Sequence, residues 1–148
     1  MSYLYICNSA SDRIDKININ DFTLEEPIEL NYHEKIKPFN ICIDNKAFII
    51  SSFENNRIYL FKNDGGIEEF YIGSGCSHMG LIGDKLYIIC EESNTIVCFD
   101  ILSKELVEVI SCGISPHSLD FSPENNSIVV ANTLSNDISI INLKEKEK

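Results

Sequence analysis

Apolar and polar positions along this chain form two recurring patterns of short segments, and neither has the 3.6-residue spacing of a helix. In the first pattern a nearly unbroken apolar run, a polar loop and a second apolar run follow one another, as in residues 48–61. This order predicts a β-hairpin whose strands are covered on both faces. In the second pattern apolar and acidic residues alternate, as in residues 28–30 and 67–72. Such alternation predicts an outer edge strand with one solvent-exposed face.

The hairpin pattern occurs four times with the same internal spacing. Ten residues separate the first apolar residue of each hairpin from an isoleucine in its second strand. These isoleucines recur after 44, 38 and 42 residues, at Ile14, Ile58, Ile96 and Ile138. Two residues before each isoleucine stands an Asn or Asp, namely Asp12, Asn56, Asn94 and Asn136. Because Asn and Asp tolerate a positive φ and cap their own backbone, we predict a tight turn at each of these four residues.

Two further strands complete each repeat. A matching apolar segment precedes three of the hairpins, at residues 38–43, 77–82 and 116–121, and an alternating run follows three of them, at residues 28–30, 67–72 and 106–110. The repeat of about forty residues therefore predicts four antiparallel strands in the order inner, second, third, outer. A sheet of this kind, repeated at this period, is typical of a β-propeller blade.

The predicted fold class is all-β, and the predicted domain covers residues 1–143. Its blades are expected at about residues 1–34, 35–74, 75–113 and 114–143, followed by a charged tail at 144–148. The chain starts at a second strand and stops at a third. We therefore expect about fourteen strands, as two complete blades between one that lacks its inner strand and one that lacks its outer strand.

The fourth repeat resembles the YVTN-type β-propeller family. The resemblance rests on PHSLDFSPENNSIVVAN at residues 116–132 and SNDISIIN at residues 135–142. The first three repeats keep the pattern of hydrophobic positions and the Asn or Asp at the turn. In the second repeat Phe39 replaces the histidine. In the third repeat Cys76 and Ser77 replace the segment around the proline. Because propellers of this type close with about seven blades, the resemblance implies a partial propeller, about half of a ring. Lactonase-like and streptogramin-lyase-like propellers are similar too, so an enzyme stays open.

The net charge and the arrangement of the cysteines limit which binding partners and which cellular compartment we expect. The net charge is −11 and no basic stripe exists, which excludes nucleic acid and anionic membrane surfaces as expected partners. Residues 1–10 do not resemble a signal peptide, and no apolar run approaches the eighteen residues of a membrane span. The six cysteines contain no C-x-x-C pair. We therefore expect a cytoplasmic protein with six reduced thiols, and neither a metal nor a cofactor.

The candidate site is the mouth of the central channel, where inner strands start. His78 and His117 are assigned to the same position of the repeat, which Phe39 occupies in the second blade. Two imidazoles could serve there as metal ligands or as an acid–base pair. Phe39 at the same position favours a structural role for both histidines. Glu54 and the pair at 91–92 are expected in hairpin loops on the same face as Asp12. Oxygen ligands there could hold a cation, but solvated loops are the favoured interpretation.

Three functions follow as hypotheses. The first is a non-catalytic binding or assembly module that recognises a protein or peptide at Phe39, His78 and His117. The second is a lactonase-like or streptogramin-lyase-like enzyme whose site forms around His78 and His117 when the ring closes. The third is a fragment of a longer propeller whose function lies in the missing half. The expected partner is accordingly a second copy, which would close the ring as a homodimer, or that missing half.

Overall fold

The computed structural model describes residues 2–44 and 47–143, and the regular elements in these ranges are all β-strands. The predicted charged tail at 144–148 lies outside the described residues. The first sheet contains β1 (Tyr3–Asn8), β2 (Arg13–Asn18) and β3 (Ile28–Glu29), and the second contains β4 (Asn40–Ile43), β5 (Ala47–Ser52), β6 (Arg57–Lys62) and β7 (Ile67–Tyr71). The third contains β8 (Cys76–Ile82), β9 (Lys85–Cys90), β10 (Thr95–Asp100) and β11 (Glu105–Ser111), and the fourth contains β12 (Pro116–Ser122), β13 (Ser127–Asn132) and β14 (Asp137–Asn142).

Strands that follow one another in the chain pair antiparallel, so each sheet runs from an inner to an outer strand as predicted. The second and third sheets have four strands. Among the described residues the first sheet lacks an inner strand and the fourth lacks an outer one. The all-β class and the four-stranded antiparallel sheets are therefore confirmed. No helix in the described ranges has the length and apolar character needed to span a membrane.

Each central hairpin reverses at the residue that the sequence predicts. Asp12, Asn56, Asn94 and Asn136 have φ values of 52°, 59°, 58° and 55°. A left-handed backbone costs Asn and Asp less than other non-glycine residues, because their short polar side chains bond locally. The four predicted turns are confirmed.

The side chains of three of these turn residues also bind the following sheet, which the sequence did not predict. The Asp12 carboxylate accepts hydrogen bonds from the backbone N–H groups of Ile36 and Lys37, at 2.9 and 2.8 Å. Asn56 Oδ1 accepts one from Gly75, at 2.9 Å. Asn94 Oδ1 likewise accepts one from Ser115, at 2.8 Å. The residue that reverses a hairpin therefore also fixes where the next sheet begins.

The core lies between the sheets, in three clusters that each join two neighbours. Adjacent residues of one middle strand serve different clusters. Ile88 packs toward the second sheet and Ile89 toward the fourth, and both are fully buried. This is why the middle strands are apolar without alternation, because each of their faces is covered by another sheet. Burying one isoleucine stabilises the fold by about 1.5–3 kcal/mol.

The outer strands face solvent as predicted, but on β11 the exposed residues include the apolar ones. Val107 and Val109 are 54% and 62% exposed, whereas Glu108 between them is partly buried. Lys104 Nζ from the turn before β11 reaches Glu68 on β7, the outer strand of the second sheet, at 2.6 Å. The rim of the molecule thus exposes apolar as well as charged side chains, and this ion pair joins two neighbouring sheets there.

Candidate functional site

The three candidate residues lie at the starts of the inner strands, but their register differs from the sequence alignment. Met79 pairs with Ile88 and Leu119 with Val130, and these partners are equivalent positions of the repeat. His78 lies one residue before Met79, whereas His117 lies two residues before Leu119. His78 therefore stands one position later in the repeat than His117. The assignment of both histidines to one position was therefore wrong.

Both inner strands have a β-bulge at the same place, so the bulge does not cause this difference in register. The pairing of β8 with β9 shifts between Cys76 and Met79, and the pairing of β12 with β13 shifts between Pro116 and Ser118. A bulge places two residues opposite one, so neighbours in the chain can approach the same edge of the sheet. Phe39 corresponds in register to His117, because Ile41 pairs with Ile50, which is the equivalent of Val130.

The structure nevertheless brings the three rings together in one row. The centroids of Phe39 and His78 are 5.9 Å apart, and those of His78 and His117 are also 5.9 Å apart. Phe53 extends the row, with its centroid 6.0 Å from that of Phe39. The tilted and edge-on arrangements are those that aromatic rings prefer over face-to-face contact. Four rings on three sheets thus form a continuous, partly exposed surface.

Phe53 is a site residue that the sequence analysis missed. It follows β5 directly and opens the hairpin loop of the second sheet, where Ser9 and Glu91 stand in the first and third repeats. The alignment of the repeats could have identified Phe53, because it places this residue at the position of Ser9 and Glu91. The first loop residue of every hairpin lies on the same side as the inner-strand starts, because Phe39 N–H bonds to Ser51 O at the end of β5, at 2.8 Å.

These loops and strand starts enclose a pocket of about 340 Å³, lined by Ser9, Lys37, Phe39, Phe53, Glu54, Glu91 and His117. Its charged groups pair within the site. Lys37 Nζ lies 2.5 Å from Glu54 Oε2, and both side chains are exposed. The pocket therefore combines an aromatic wall with two carboxylates and one ammonium group. Glu54 and Glu91 stand in hairpin loops, and both line this pocket.

Glu91 holds His117 in a defined orientation. Its Oε2 lies 3.4 Å from His117 Nδ1, and its Oε1 accepts a hydrogen bond from Ser115 Oγ, also at 3.4 Å. A carboxylate at Nδ1 favours the tautomer that leaves Nε2 free to accept a proton. The His117 side chain is 51% exposed, so Nε2 is accessible from the pocket.

His78 has a different electrostatic environment. Partial burial lowers the pKa of its imidazole below the ordinary value, and the adjacent His117 lowers this pKa further, while Glu91 acts in the opposite direction. Burial disfavours the charged form of a histidine, so this environment favours the neutral imidazole of His78. A neutral ring can pack against Phe39 and still donate one hydrogen bond.

Ser77, the serine next to His78 in the chain, is not positioned as a nucleophile. Ser77 is fully buried, and its Oγ has no hydrogen-bond partner in the described part of the chain. Its carbonyl instead accepts a hydrogen bond from Ser51 Oγ, at 2.6 Å, which joins the second and third sheets. Nor do three His, Cys, Asp or Glu side chains come close enough together, within residues 2–44 and 47–143, to hold a metal ion.

Comparison with known proteins supports the fold alone. No protein-family model and no curated protein matches the chain. Among solved structures it is similar to hydrazine synthase from Kuenenia stuttgartiensis, with 16% identity and a TM-score of 0.81 over 97% of this chain and 44% of that chain. A streptogramin B lyase shares 16% identity, with a TM-score of 0.69 over 95% and 51% of the two chains. A candidate 6-phosphogluconolactonase from Bacteroides uniformis shares 17% identity, with a TM-score of 0.73 over 93% and 46%.

The fold is that of a β-propeller. Its four sheets are blades, and the row of rings lies where consecutive blades bring their inner strands together. The chain spans about half the length of the solved structures that it matches. At these identities the likeness says nothing of activity or ligand, so the function must be argued from the site.

Proposed function

We propose that this chain is a YVTN-type β-propeller segment that acts in the cytoplasm as a non-catalytic binding module for a protein or peptide. The observation that carries the proposal is the row of Phe53, Phe39, His78 and His117 beside an acidic pocket. Rigid aromatic rings provide contact area at a low cost in conformational entropy, and they are enriched among residues that dominate binding energy. Loops held on a rigid sheet frame are a usual place for recognition.

The chemistry of the pocket indicates which peptides it favours. The rings provide an apolar surface, and Glu91 and Glu54 accept hydrogen bonds from peptide N–H groups or from Lys and Arg side chains. The net charge of −11 attracts basic segments and raises their association rate at low salt. We therefore propose an extended segment with one aromatic or aliphatic side chain next to a basic residue.

A phage-displayed library of random peptides tests this proposal. We expect selection of peptides that combine an aromatic or aliphatic residue with Lys or Arg. Phe39→Ala should weaken the Kd of a selected peptide about tenfold or more, as is usual for a central aromatic contact. Phe22→Ala is the matched control, since Phe22 is 75% exposed and lies outside the pocket. Selected peptides that bind wild type and the Phe39→Ala variant equally would contradict the proposal.

A second candidate function is an enzyme of the lactonase or streptogramin-lyase type, and the contact between His117 and Glu91 favours it. A histidine oriented by a carboxylate is the usual form of a general base. Hydrolysis of a lactone is assisted by a base that takes a proton from the attacking water. In this proposal His117 takes that proton as the water oxygen bonds to the carbonyl carbon. The ring C–O bond then breaks, and the leaving oxygen takes the proton back from His117. His78 donates a hydrogen bond, once the ring of blades is complete.

The test uses 6-phosphogluconolactone and a streptogramin B antibiotic as probes, with product detection by mass spectrometry. If the chain is this enzyme, His117→Ala should lower turnover about 100-fold or more, and Glu91→Gln should lower it less. The protein should be assayed at concentrations where it is assembled. Turnover that is absent, or unchanged in His117→Ala, would leave the binding module as the better proposal.

A third proposal is that the chain belongs to a longer propeller, with the remaining blades on the same polypeptide. It is supported by the span of 44% to 51% of the solved chains. The mass of the protein isolated from its own cells would distinguish this proposal. A polypeptide about twice as long as the present one would support it, and a polypeptide of 16.8 kDa would contradict it.

A further inference from the structure

The face of the fourth blade that points away from the third blade is called the forward face. It is made of repeat positions that are buried in the preceding blade. Ile96 and Cys98 on β10 pack against the fourth blade and are 0% and 3% exposed. Their equivalents on β14, Ile138 and Ile140, are 61% and 66% exposed. The same register positions are thus core residues in one blade and surface residues in the next. The fourth blade therefore carries a forward face that is chemically suited to contact another blade.

The first blade shows the complementary situation on its opposite face. Leu86 and Ile88 on β9 pack toward the preceding blade and are fully buried. Their equivalents on β1, Leu4 and Ile6, are 51% and 45% exposed. This face of the first blade is called the backward face. In the other blades the same repeat positions pack against the preceding blade. Isolated apolar residues on a surface need no explanation, but two faces that repeat an internal interface do.

Charged side chains also lie on the backward face of the first blade, and the two on β2, Arg13 and Asp15, pair with each other. Asp15 stands on β2 where Tyr59 stands in the second blade. Its Oδ1 lies 2.9 Å from Arg13 Nε, and its Oδ2 accepts a hydrogen bond from Asn8 Nδ2 at 3.1 Å. A partner blade would therefore cover a paired carboxylate and not a bare charge, which removes most of the cost of burying it.

We propose that a second copy of this chain covers these faces. The forward face of the fourth blade in each copy contacts the backward face of the first blade in the other, so two seams close one ring from two sets of four blades. Head-to-tail contact continues the packing that already joins each blade to the next, whereas forward-to-forward contact occurs nowhere among the described blades. The chain covers about half of each solved propeller, so two copies supply a comparable length.

Two face variants and one matched control test this arrangement. The forward-face variant is Ile138→Asp with Ile140→Asp, and the backward-face variant is Leu4→Asp with Ile6→Asp. The control is Val107→Asp with Val109→Asp, which introduces the same two charges on an exposed strand away from both faces. Light scattering at micromolar concentration gives the particle mass, and circular dichroism reports whether each variant is folded.

Wild type and the control should have twice the chain mass of 16.8 kDa, and each face variant alone should have the mass of one chain. An equimolar mixture of the two face variants should recover pairs, because one seam then joins two unaltered faces. A wild-type monomer would overturn the proposal. A backward-face variant that still pairs would also overturn it, since that result means forward-to-forward contact. This proposal does not depend on the peptide site, because Phe39 and its neighbours lie in the pocket and not on either end face.

Discussion

Asn94 Oδ1 accepts a hydrogen bond from the backbone N–H of Ser115 at 2.8 Å, across the gap between the third and fourth blades. The same asparagine reverses its own hairpin with φ at 58°. One side chain therefore has two structural roles, a local turn and a contact between blades. Asn136 has the turn geometry, but no blade follows it among the described residues.

The first prediction separates these two roles. Asn136→Val should lower the free energy of unfolding by about 1–2 kcal/mol, because a β-branched residue resists positive φ. Asn94→Val should lower it by about 1 kcal/mol more, because the hydrogen bond to Ser115 is also lost. Asn94→Gly should show mainly that second effect, since glycine adopts this φ readily. The measurement is urea denaturation, and equal midpoints for wild type and both Val variants would contradict the assigned turns.

The second prediction concerns the thiols. All six cysteines are free, and Cys76, Cys90 and Cys98 are buried. Burial raises the pKa of Cys7 to about 11, so little of its reactive thiolate is present at neutral pH. We expect six thiols to react with a chromogenic disulfide reagent in denaturant and clearly fewer to react rapidly in the native protein. Finding two or more native disulfides would exclude the cytoplasmic proposal.

The third prediction uses Phe39 as a guide to the two histidines. The double change His78→Phe with His117→Phe should leave a folded protein whose thermal midpoint is close to that of wild type, because Phe39 already occupies the register position of His117 and the ring of His78 packs against that of Phe39 at 5.9 Å. A peptide selected on the wild-type protein should still bind, since the aromatic surface is kept. A folded double variant that has lost a lactonase or lyase activity would favour the enzyme instead.

The fourth prediction concerns acid stability at the turn between β10 and β11. Pairing with Lys85, together with hydrogen bonds from the backbone of Ser103 and Leu102, lowers the pKa of Asp100 from 3.8 to about 2. A carboxyl whose pKa is lower in the folded state stabilises the fold above its unfolded pKa, and this contribution is lost as the pH falls from about 4 to about 2.

Asp100→Asn should therefore lower the unfolding midpoint at pH 7, and the difference from wild type should shrink between pH 4 and pH 2. Asp64→Asn is a control for a general change in net charge, since Asp64 lies in the turn between β6 and β7. A pH-independent difference between wild type and Asp100→Asn would contradict the pairing with Lys85.

The sequence predicts the strands and the turns well because both depend on local chemistry. The apolar middle strands and the residues at Asp12, Asn56, Asn94 and Asn136 follow from burial and from the φ that each residue type tolerates. The hydrogen bonds that these residues make to the next blade could not be predicted in the same way. Their partners lie 19 to 25 residues further on, and the sequence pattern does not state which backbone groups come close.

The register of Phe39, His78 and His117 could not be predicted from the sequence pattern. The turn between the inner and second strands has two residues in the third blade and four in the fourth, so aligning the two histidines directly misplaces one strand by one residue. Phe53 was missed because the first loop residue has a different chemistry in each repeat, as Ser9 and Glu91 show. The contact between Glu91 and His117 spans 26 residues and depends on how one blade sits against the next.

Ile88 packs toward the second blade and Ile89 toward the fourth, and this arrangement predicts the order in which the blades should unfold. Each blade shares its core only with its neighbours, so the loss of an end blade removes one cluster and leaves the others intact. In an unpaired chain, such as the forward-face variant, amide hydrogen exchange should accordingly be slowest in β5, β6, β9 and β10 and become faster toward β1 and β14. Unfolding that proceeds from the two ends inward would make the central pair of blades the last part of the chain to lose its protection.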